Sequence, residues 1–135
     1  MLTQMEVTNL DGEDPRLVVD AIPRGRYVIV TMWATYCPPC VDELSMFQKV
    51  HRDGHAILGV SFDAADERDD VKALLAKKGA TFPQVIVTAD AMKRAGRLLE
   101  GGLPFAVVVD ETGAIVRTHT GKMSEPWARA ALAGE

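Results

Sequence analysis

The sequence has few of the residues that mark a membrane protein, a nucleic-acid-binding protein or a disulfide scaffold. Its 135 residues include two cysteines, three histidines, and 15 Lys and Arg against 19 Asp and Glu, for a formal net charge of −4. No apolar run approaches the roughly 18 residues of a membrane-spanning helix, so we expect no membrane span. The acidic balance and the lack of a dense basic run argue against nucleic-acid and anionic-membrane partners.

The first 15 residues, MLTQMEVTNLDGEDP, contain no basic residue and no apolar h-region. They do not match a signal peptide. We therefore expect either a periplasmic or cell-envelope location, if a leader was removed, or otherwise a cytoplasmic one. The length and the 47% content of hydrophobic residues predict one domain over residues 1–135 with a substantial core. We expect a monomer.

Strand-like and helix-like patterns alternate from about residue 26 to the end. Residues 26–33 and 55–63 are apolar and β-branched, which is typical of strands buried on both faces. The full order, β-α-β-α-β-α-β-β-α, predicts an α/β fold with a central mixed sheet flanked by helices. Its first strands are parallel, and residues 105–119 form a hairpin. Residues 1–20 predict an N-terminal β-hairpin extension.

Both cysteines lie in one short segment, WATYCPPC, at a predicted strand-to-helix junction. A bridge between Cys37 and Cys40 closes almost no loop, so it adds little stability, and we expect the pair to serve chemistry instead. A thiolate at a helix N-terminus is stabilised by unpaired amides and the helix dipole, which lowers the pKa of Cys37. Cys40, one turn in and less exposed, is placed to attack a mixed disulfide at Cys37. We expect this redox-active disulfide and no other cofactor.

The two intervening prolines modify that expectation. Pro38 and Pro39 have no backbone N–H, so of residues 38–40 only Cys40 can donate an amide to the Cys37 sulfur. We expect a milder depression of the Cys37 pKa than in a pair whose intervening residues keep their amides. A less stabilised thiolate favours a reductant over an oxidant.

The segment VIVTMWATYCPPC, followed downstream by GGLPFAVVVDETGAIV, resembles thioredoxin-fold thiol–disulfide oxidoreductases. It is most similar to the bacterial TlpA-like branch, which includes reductants used in cytochrome c maturation. The resemblance covers about residues 10–125. It implies a thioredoxin-like fold, protein thiols and disulfides as partners, an upstream electron donor and a cell-envelope location.

The resemblance also implies roles for individual residues. Cys37 would be the nucleophile and Cys40 the resolving thiol. The substrate-binding residues would be Trp33, which packs beside the active site, Tyr36, Leu103, whose backbone would bind an extended partner segment, and Pro104. Pro104 matches the family's cis-proline. The alternative for Pro104 is a trans proline that opens a strand.

Glu43 matches an acidic residue of the TlpA-like pattern and shares a helix face with Cys40. If buried, its carboxylate would accept the Cys40 proton, directly or through water. The alternative is a solvated glutamate in the first turn, favoured by the helix dipole alone. Thioredoxins proper have aspartate and tryptophan where this chain has Thr31 and Tyr36. Because Thr31 cannot relay a proton at neutral pH, Glu43 becomes the stronger candidate for the proton acceptor. The same departure argues against a general cytosolic thioredoxin.

Other uses of the same cysteines remain open. Cys37, Cys40, His51 and His55 have the zinc-finger-like spacing C-x2-C-x10-H-x3-H, but one helix over 38–53 would place His51 about 16 Å from Cys40. A thioredoxin-fold peroxidase would need Pro-x-x-x-Thr-x-x-Cys, and Ala34 breaks that pattern. A copper module would normally use CxxxC. A non-catalytic binding module is possible on fold grounds. We expect no metal.

Overall fold

A single mixed sheet with helices on both faces forms the described part of the chain. A computed structural model describes residues 4–95 and 102–135. The strands are β1 (Glu6–Thr8), β2 (Arg16–Leu17), β3 (Val28–Trp33), β4 (Ala56–Ser61), β5 (Gln84–Val87), β6 (Phe105–Val109) and β7 (Ile115–Thr120). The helices are α1 (Val18–Ala21), α2 (Pro38–Arg52), α3 (Arg68–Lys78), α4 (Ala89–Arg94) and α5 (Glu125–Leu132), with a 3-10 turn at Ala65–Glu67 before α3.

The strands are ordered β2-β1-β5-β4-β3-β6-β7. The three central strands β3, β4 and β5 are parallel, whereas β6 and β7 on one side and β1 and β2 on the other are antiparallel to their neighbours. From β3 onward the order of strands and helices is the predicted one. The predicted α/β fold with a central mixed sheet is confirmed.

Strands β3 and β4 are buried on both faces because helices cover both sides of the sheet. Every residue of β3 and β4 is buried. Successive side chains of a strand point to opposite faces, so Ile29 and Trp33 join the core under α2 while Val30 and Met32 join the core on the other face. The continuous apolar pattern of these strands therefore predicted their position correctly.

The N-terminal extension is part of the main sheet. Its hairpin, β1 with β2, pairs through β1 with β5, and Val7 is completely buried. The connecting loop is organised by Asn9, whose Oδ1 accepts hydrogen bonds from the amides of Asp11 and Glu13 at 2.9 Å. Gly12 has a φ of +79° in this loop, a conformation that glycine adopts without strain. The predicted hairpin is confirmed, whereas the one-turn helix α1 after it was not predicted.

The sequence predicts two helix caps, Gly79 after the third-last helix and Ser124 before the last helix, and both are observed. Gly79 is the left-handed C-cap of α3, with φ 65°, and the Ser124 hydroxyl accepts a hydrogen bond from the Trp127 amide at the start of α5. The pattern of residues 90–102 predicts a helix, which is observed in part as α4, and residues 96–101 lie outside the described part of the chain.

Across residues 4–95 and 102–135, no helix combines the length and the apolar character needed to cross a bilayer.

Candidate active site

The two cysteines lie where β3 gives way to α2. β3 ends at Trp33, and a turn over residues 34–37 follows, closed by a hydrogen bond from the Cys37 amide to the Ala34 carbonyl at 3.2 Å. Cys37 and Cys40 form a disulfide, with 5.3 Å between their Cα atoms. The exposed fraction is 8% for Cys37 and 1% for Cys40. Cys37 is therefore the more accessible sulfur, as predicted.

The backbone around Cys37 has few amide donors. Cys37 is the N-cap of α2, and its Sγ accepts a hydrogen bond from the Cys40 amide at 3.3 Å. Pro38 and Pro39 occupy the first two helical positions, where they contribute no N–H. Within residues 38–40 the Cys40 amide is thus the one donor to the sulfur, in agreement with the prediction from the sequence.

Glu43 is buried one helical turn beyond Cys40, with an exposed fraction of 2%. Its Oε2 accepts a hydrogen bond from the Met123 amide at 2.5 Å, whereas Oε1 accepts none from the described residues. Burial raises the pKa of Glu43 from 4.5 to about 7, although the Met123 hydrogen bond and the charge of Lys122 lower it. The alternative of a solvated glutamate is wrong. The carboxyl group titrates near neutral pH instead.

The two aromatic residues of the motif have different environments. Trp33 is buried in the same core cluster as both cysteines, and its indole N–H donates to Gln84 Oε1 at 3.0 Å. Gly59 leaves the room for Gln84, because a Cβ at position 59 would overlap that side chain. Tyr36 has an exposed fraction of 67%. Its pKa is raised by partial burial and by the charges of Asp63 and Glu67.

The Leu103–Pro104 peptide bond is cis, so the alternative of a trans proline at the start of a strand is wrong. Pro104 is buried, and its carbonyl accepts a hydrogen bond from the Gly121 amide at 2.9 Å. Leu103 is half-buried and packs against the core cluster that contains both cysteines. The role in partner binding expected for Trp33, Tyr36, Leu103 and Pro104 stays a prediction. In the disulfide-bonded state Trp33 is buried, so its side chain packs in the core and does not face a partner.

The zinc-finger-like spacing does not produce a metal site in this fold. Because α2 is one continuous helix, His51 is about 16 Å from Cys40 along the axis. His51 packs instead against Phe82, with 6.4 Å between ring centroids. Within the described ranges, no group of three or more His, Cys, Asp or Glu side chains is arranged to hold a metal ion.

Three residues of this region were not predicted from the sequence. Asp63, just after β4, is buried and accepts hydrogen bonds from Thr35 and Ser61. The Met123 amide donates to Glu43, and Gln84 accepts from the Trp33 indole, each from a distant part of the chain. An acidic residue at the carboxyl end of a central parallel strand is a usable indication, because that edge of the sheet commonly carries the site. No comparable pattern points to Met123 or Gln84.

A CxxC pair at the N-terminus of α2, a cis-proline before β6 and a mixed central sheet define a thioredoxin-like protein. The chain belongs to the AhpC/TSA family, whose model matches residues 1–120. The predicted resemblance to thioredoxin-fold thiol–disulfide oxidoreductases is confirmed.

Relatives and solved structures agree with this assignment. The chain is 31% identical over 105 residues to the thiol-disulfide oxidoreductase ResA of Halalkalibacterium halodurans, covering 75% of this chain and 57% of that protein. It is 28% identical over 123 residues to ResA of Geobacillus kaustophilus, covering 88% and 67%. A crystal structure of a thioredoxin-family thiol:disulfide interchange protein from Chlorobium tepidum has a TM-score of 0.74 at 21% identity, covering 99% of this chain and 96% of that one. The chain thus spans about three fifths of the length of the curated relatives it matches.

Proposed function

We propose that this chain is a thiol–disulfide oxidoreductase that reduces disulfides in other proteins through Cys37 and Cys40. The observation that carries the proposal is the bonded cysteine pair at the N-terminus of α2, with Cys37 the more exposed sulfur. The ResA relatives, whose names state this activity, support it.

The reaction takes two steps in the reduced chain. The Cys37 thiolate attacks one sulfur of the partner's disulfide, the partner's S–S bond breaks, one partner sulfur leaves as a thiolate and a mixed disulfide forms at Cys37. The Cys40 thiol then loses its proton, its thiolate attacks the Cys37 sulfur, and the second partner thiolate leaves. Two electrons pass to the partner, and the chain ends with the Cys37–Cys40 disulfide.

Glu43 is suited to take the Cys40 proton in the second step. Residues i and i+3 share a helix face, and Glu43 Oε1 is free of hydrogen bonds from the described residues. A carboxyl group with a pKa of about 7 serves as a base near neutral pH. The buried Thr31 on β3 has no group that ionises at neutral pH. Transfer occurs directly or through a water molecule.

The direction of electron flow follows from the two prolines. Because Pro38 and Pro39 withhold two amide donors from the Cys37 sulfur, the reduced form gains less stabilisation than in a pair with intervening amides. We expect a reduction potential below about −200 mV, and a value near −120 mV, typical of a strong oxidant, would contradict this direction.

A reductant of this kind must itself be re-reduced, so an upstream dithiol donor is part of the proposal. The resemblance to the TlpA-like branch supports a location outside the cytoplasm and a role in a process such as cytochrome c maturation. Fractionation of the source cells, with an antibody to this chain and with periplasmic and cytosolic marker enzymes, tests the location. Recovery with the cytosolic marker alone would exclude it.

The activity is tested with insulin, whose disulfides precipitate the B chain when they are reduced. With dithiothreitol as the electron source, we expect the wild-type chain to speed precipitation and Cys37→Ser to abolish that acceleration. In a separate reaction without dithiothreitol, the pre-reduced Cys40→Ser protein mixed with insulin should accumulate a stable mixed disulfide at Cys37, visible as a mass increase that later addition of a reductant removes. Equal rates for the wild type and Cys37→Ser would refute the proposed function.

A further inference from the structure

Asp63 is a buried carboxylate beside the active-site turn, with an exposed fraction of 0%. Both of its oxygens lie within 3.1 Å of the Thr35 amide nitrogen, Oδ1 also accepts from the Thr35 hydroxyl at 2.5 Å, and Oδ2 accepts from the Ser61 hydroxyl at 2.7 Å. None of the ion pairs among the described residues includes Asp63. A buried carboxylate without a cation is costly unless donors fill its oxygens. Here Thr35 and Ser61 supply those donors.

Thr35 lies inside the turn that carries the nucleophile. The turn runs from Ala34 to Cys37 and is closed by the hydrogen bond from the Cys37 amide to the Ala34 carbonyl. The loop after β4 holds this region at two points, since the Phe62 amide also donates to the Trp33 carbonyl at 2.8 Å. The turn is thereby fixed to the neighbouring strand immediately before Cys37.

We propose that Asp63 is a positioning residue, which through its hydrogen bonds to Thr35 holds the turn so that the Cys37 sulfur is aligned for attack. This inference rests on the proposed function. Asp63 does not touch the sulfur chemistry itself. It sets the position of Cys37 at the start of α2. A displacement of the order of 1 Å in a reacting group can lower the rate constant about a hundredfold.

The substitutions that separate alignment from stability are Asp63→Ala, Asp63→Asn and Thr35→Val. Alanine removes all the contacts to Thr35. Asparagine keeps an oxygen that accepts from the Thr35 amide and hydroxyl, and its NH2 group can donate to Ser61. Valine at position 35 removes the hydroxyl and retains the amide. Asp66→Ala is the matched control, because Asp66 is exposed in the same loop.

The measurement is the second-order rate constant for attack of each reduced, folded protein on oxidised glutathione, together with the equilibrium constant of that exchange. We expect Asp63→Ala to lower the rate constant about tenfold or more, and Thr35→Val to lower it roughly threefold. Asp63→Asn should stay within about threefold of the wild type, and Asp66→Ala should equal it. A protein that carries both Asp63→Ala and Thr35→Val should be no slower than Asp63→Ala alone, because both substitutions remove the same contact.

Three results would overturn the inference. The first is an Asp63→Ala protein with a lower melting temperature but a wild-type rate constant, which would make Asp63 purely structural. The second is an Asp63→Asn rate as low as that of Asp63→Ala, which would implicate the charge and not the contacts to Thr35. If Asp63→Ala does not fold, a wild-type rate for Thr35→Val is the third. A wild-type protein with no exchange activity would instead refute the proposed function.

Discussion

Glu43 and Asp63 are both buried carboxyl groups, and their oxygens are satisfied to different degrees. Glu43 has one oxygen bound to the Met123 amide and one that accepts no hydrogen bond from the described residues, and its pKa is raised to about 7. Asp63 has hydrogen-bond donors at both oxygens. The raised pKa of Glu43 lets its carboxyl group take up a proton near neutral pH, whereas the donors around Asp63 fix its side chain in place. The first suits proton transfer and the second suits positioning.

The raised pKa of Glu43 makes the stability of the fold depend on pH. Between about pH 4.5 and 7 the folded chain keeps a proton that the unfolded chain has lost, so the free energy of unfolding falls as pH rises through that window. The shift corresponds to roughly 3 kcal/mol in total. We expect Glu43→Gln to lose this part of the decline, as measured by urea unfolding of both proteins at pH 5 and pH 8.

Asp42→Asn is the control for this experiment, because Asp42 is the exposed neighbour of Glu43 on the same helix. Its free energy of unfolding should fall between pH 5 and pH 8 by the same amount as that of the wild type. A Glu43→Gln protein that declines with pH as steeply as the wild type would show that Glu43 is not the group responsible.

The residue type and position of Glu43 were predictable from the motif, but its burial was not. Met123 lies eighty residues further along the chain, and no local pattern reports a contact of that range. The same holds for Gln84, which satisfies the Trp33 indole across the sheet. Asp63 was missed because an aspartate after a strand is common in turns. Its burial depends on donors from another strand's loop.

The N-terminus of α2 differs from an ordinary helix start because its first two residues are prolines. We expect Pro39→Ala to restore an amide at the second helical position, which faces the cap sulfur, and so to lower the Cys37 pKa and favour the reduced form. The glutathione equilibrium should shift toward the reduced chain by about threefold to tenfold, since a hydrogen bond to a charged group is worth more than one to a neutral group. Thiolate absorbance at 240 nm against pH measures the pKa.

Pro38→Ala serves as the comparison. It restores the amide of the first helical position, which is less well directed toward the cap side chain, so its effect should be smaller. An unchanged glutathione equilibrium in Pro39→Ala would remove the basis for assigning the chain as a reductant.

The regular elements were predictable to the extent that their patterns are local. The strands β3 and β4 and the helices α2 and α3 follow from apolar periodicity and from cap residues such as Gly79. The pairing of β1 with β5 was not predictable, since it joins segments about eighty residues apart. Strand register between distant segments depends on the packing of the whole sheet.

The two core clusters lie on opposite faces of one sheet, and the N-terminal hairpin contributes Met5 and Val7 to one of them. We therefore expect a single cooperative unfolding transition over the whole chain, in keeping with the prediction of one domain over 1–135. Far-UV circular dichroism and tryptophan fluorescence should give coincident urea curves, with Trp33 reporting the core and Trp127 reporting α5. Separate transitions for the two probes would show that the parts unfold independently.

The position of β1 has a practical consequence for any shortened version of this protein. A chain trimmed to start at residue 10 would retain both sulfurs, the turn before them and Glu43. It would nevertheless lack β1, so the backbone groups of β5 that bond to β1 in the full chain would have no partner strand. A bare strand margin of that kind recruits copies of itself and grows into aggregates. β1 thus covers this edge of the sheet and protects the redox unit from edge-to-edge association with other copies.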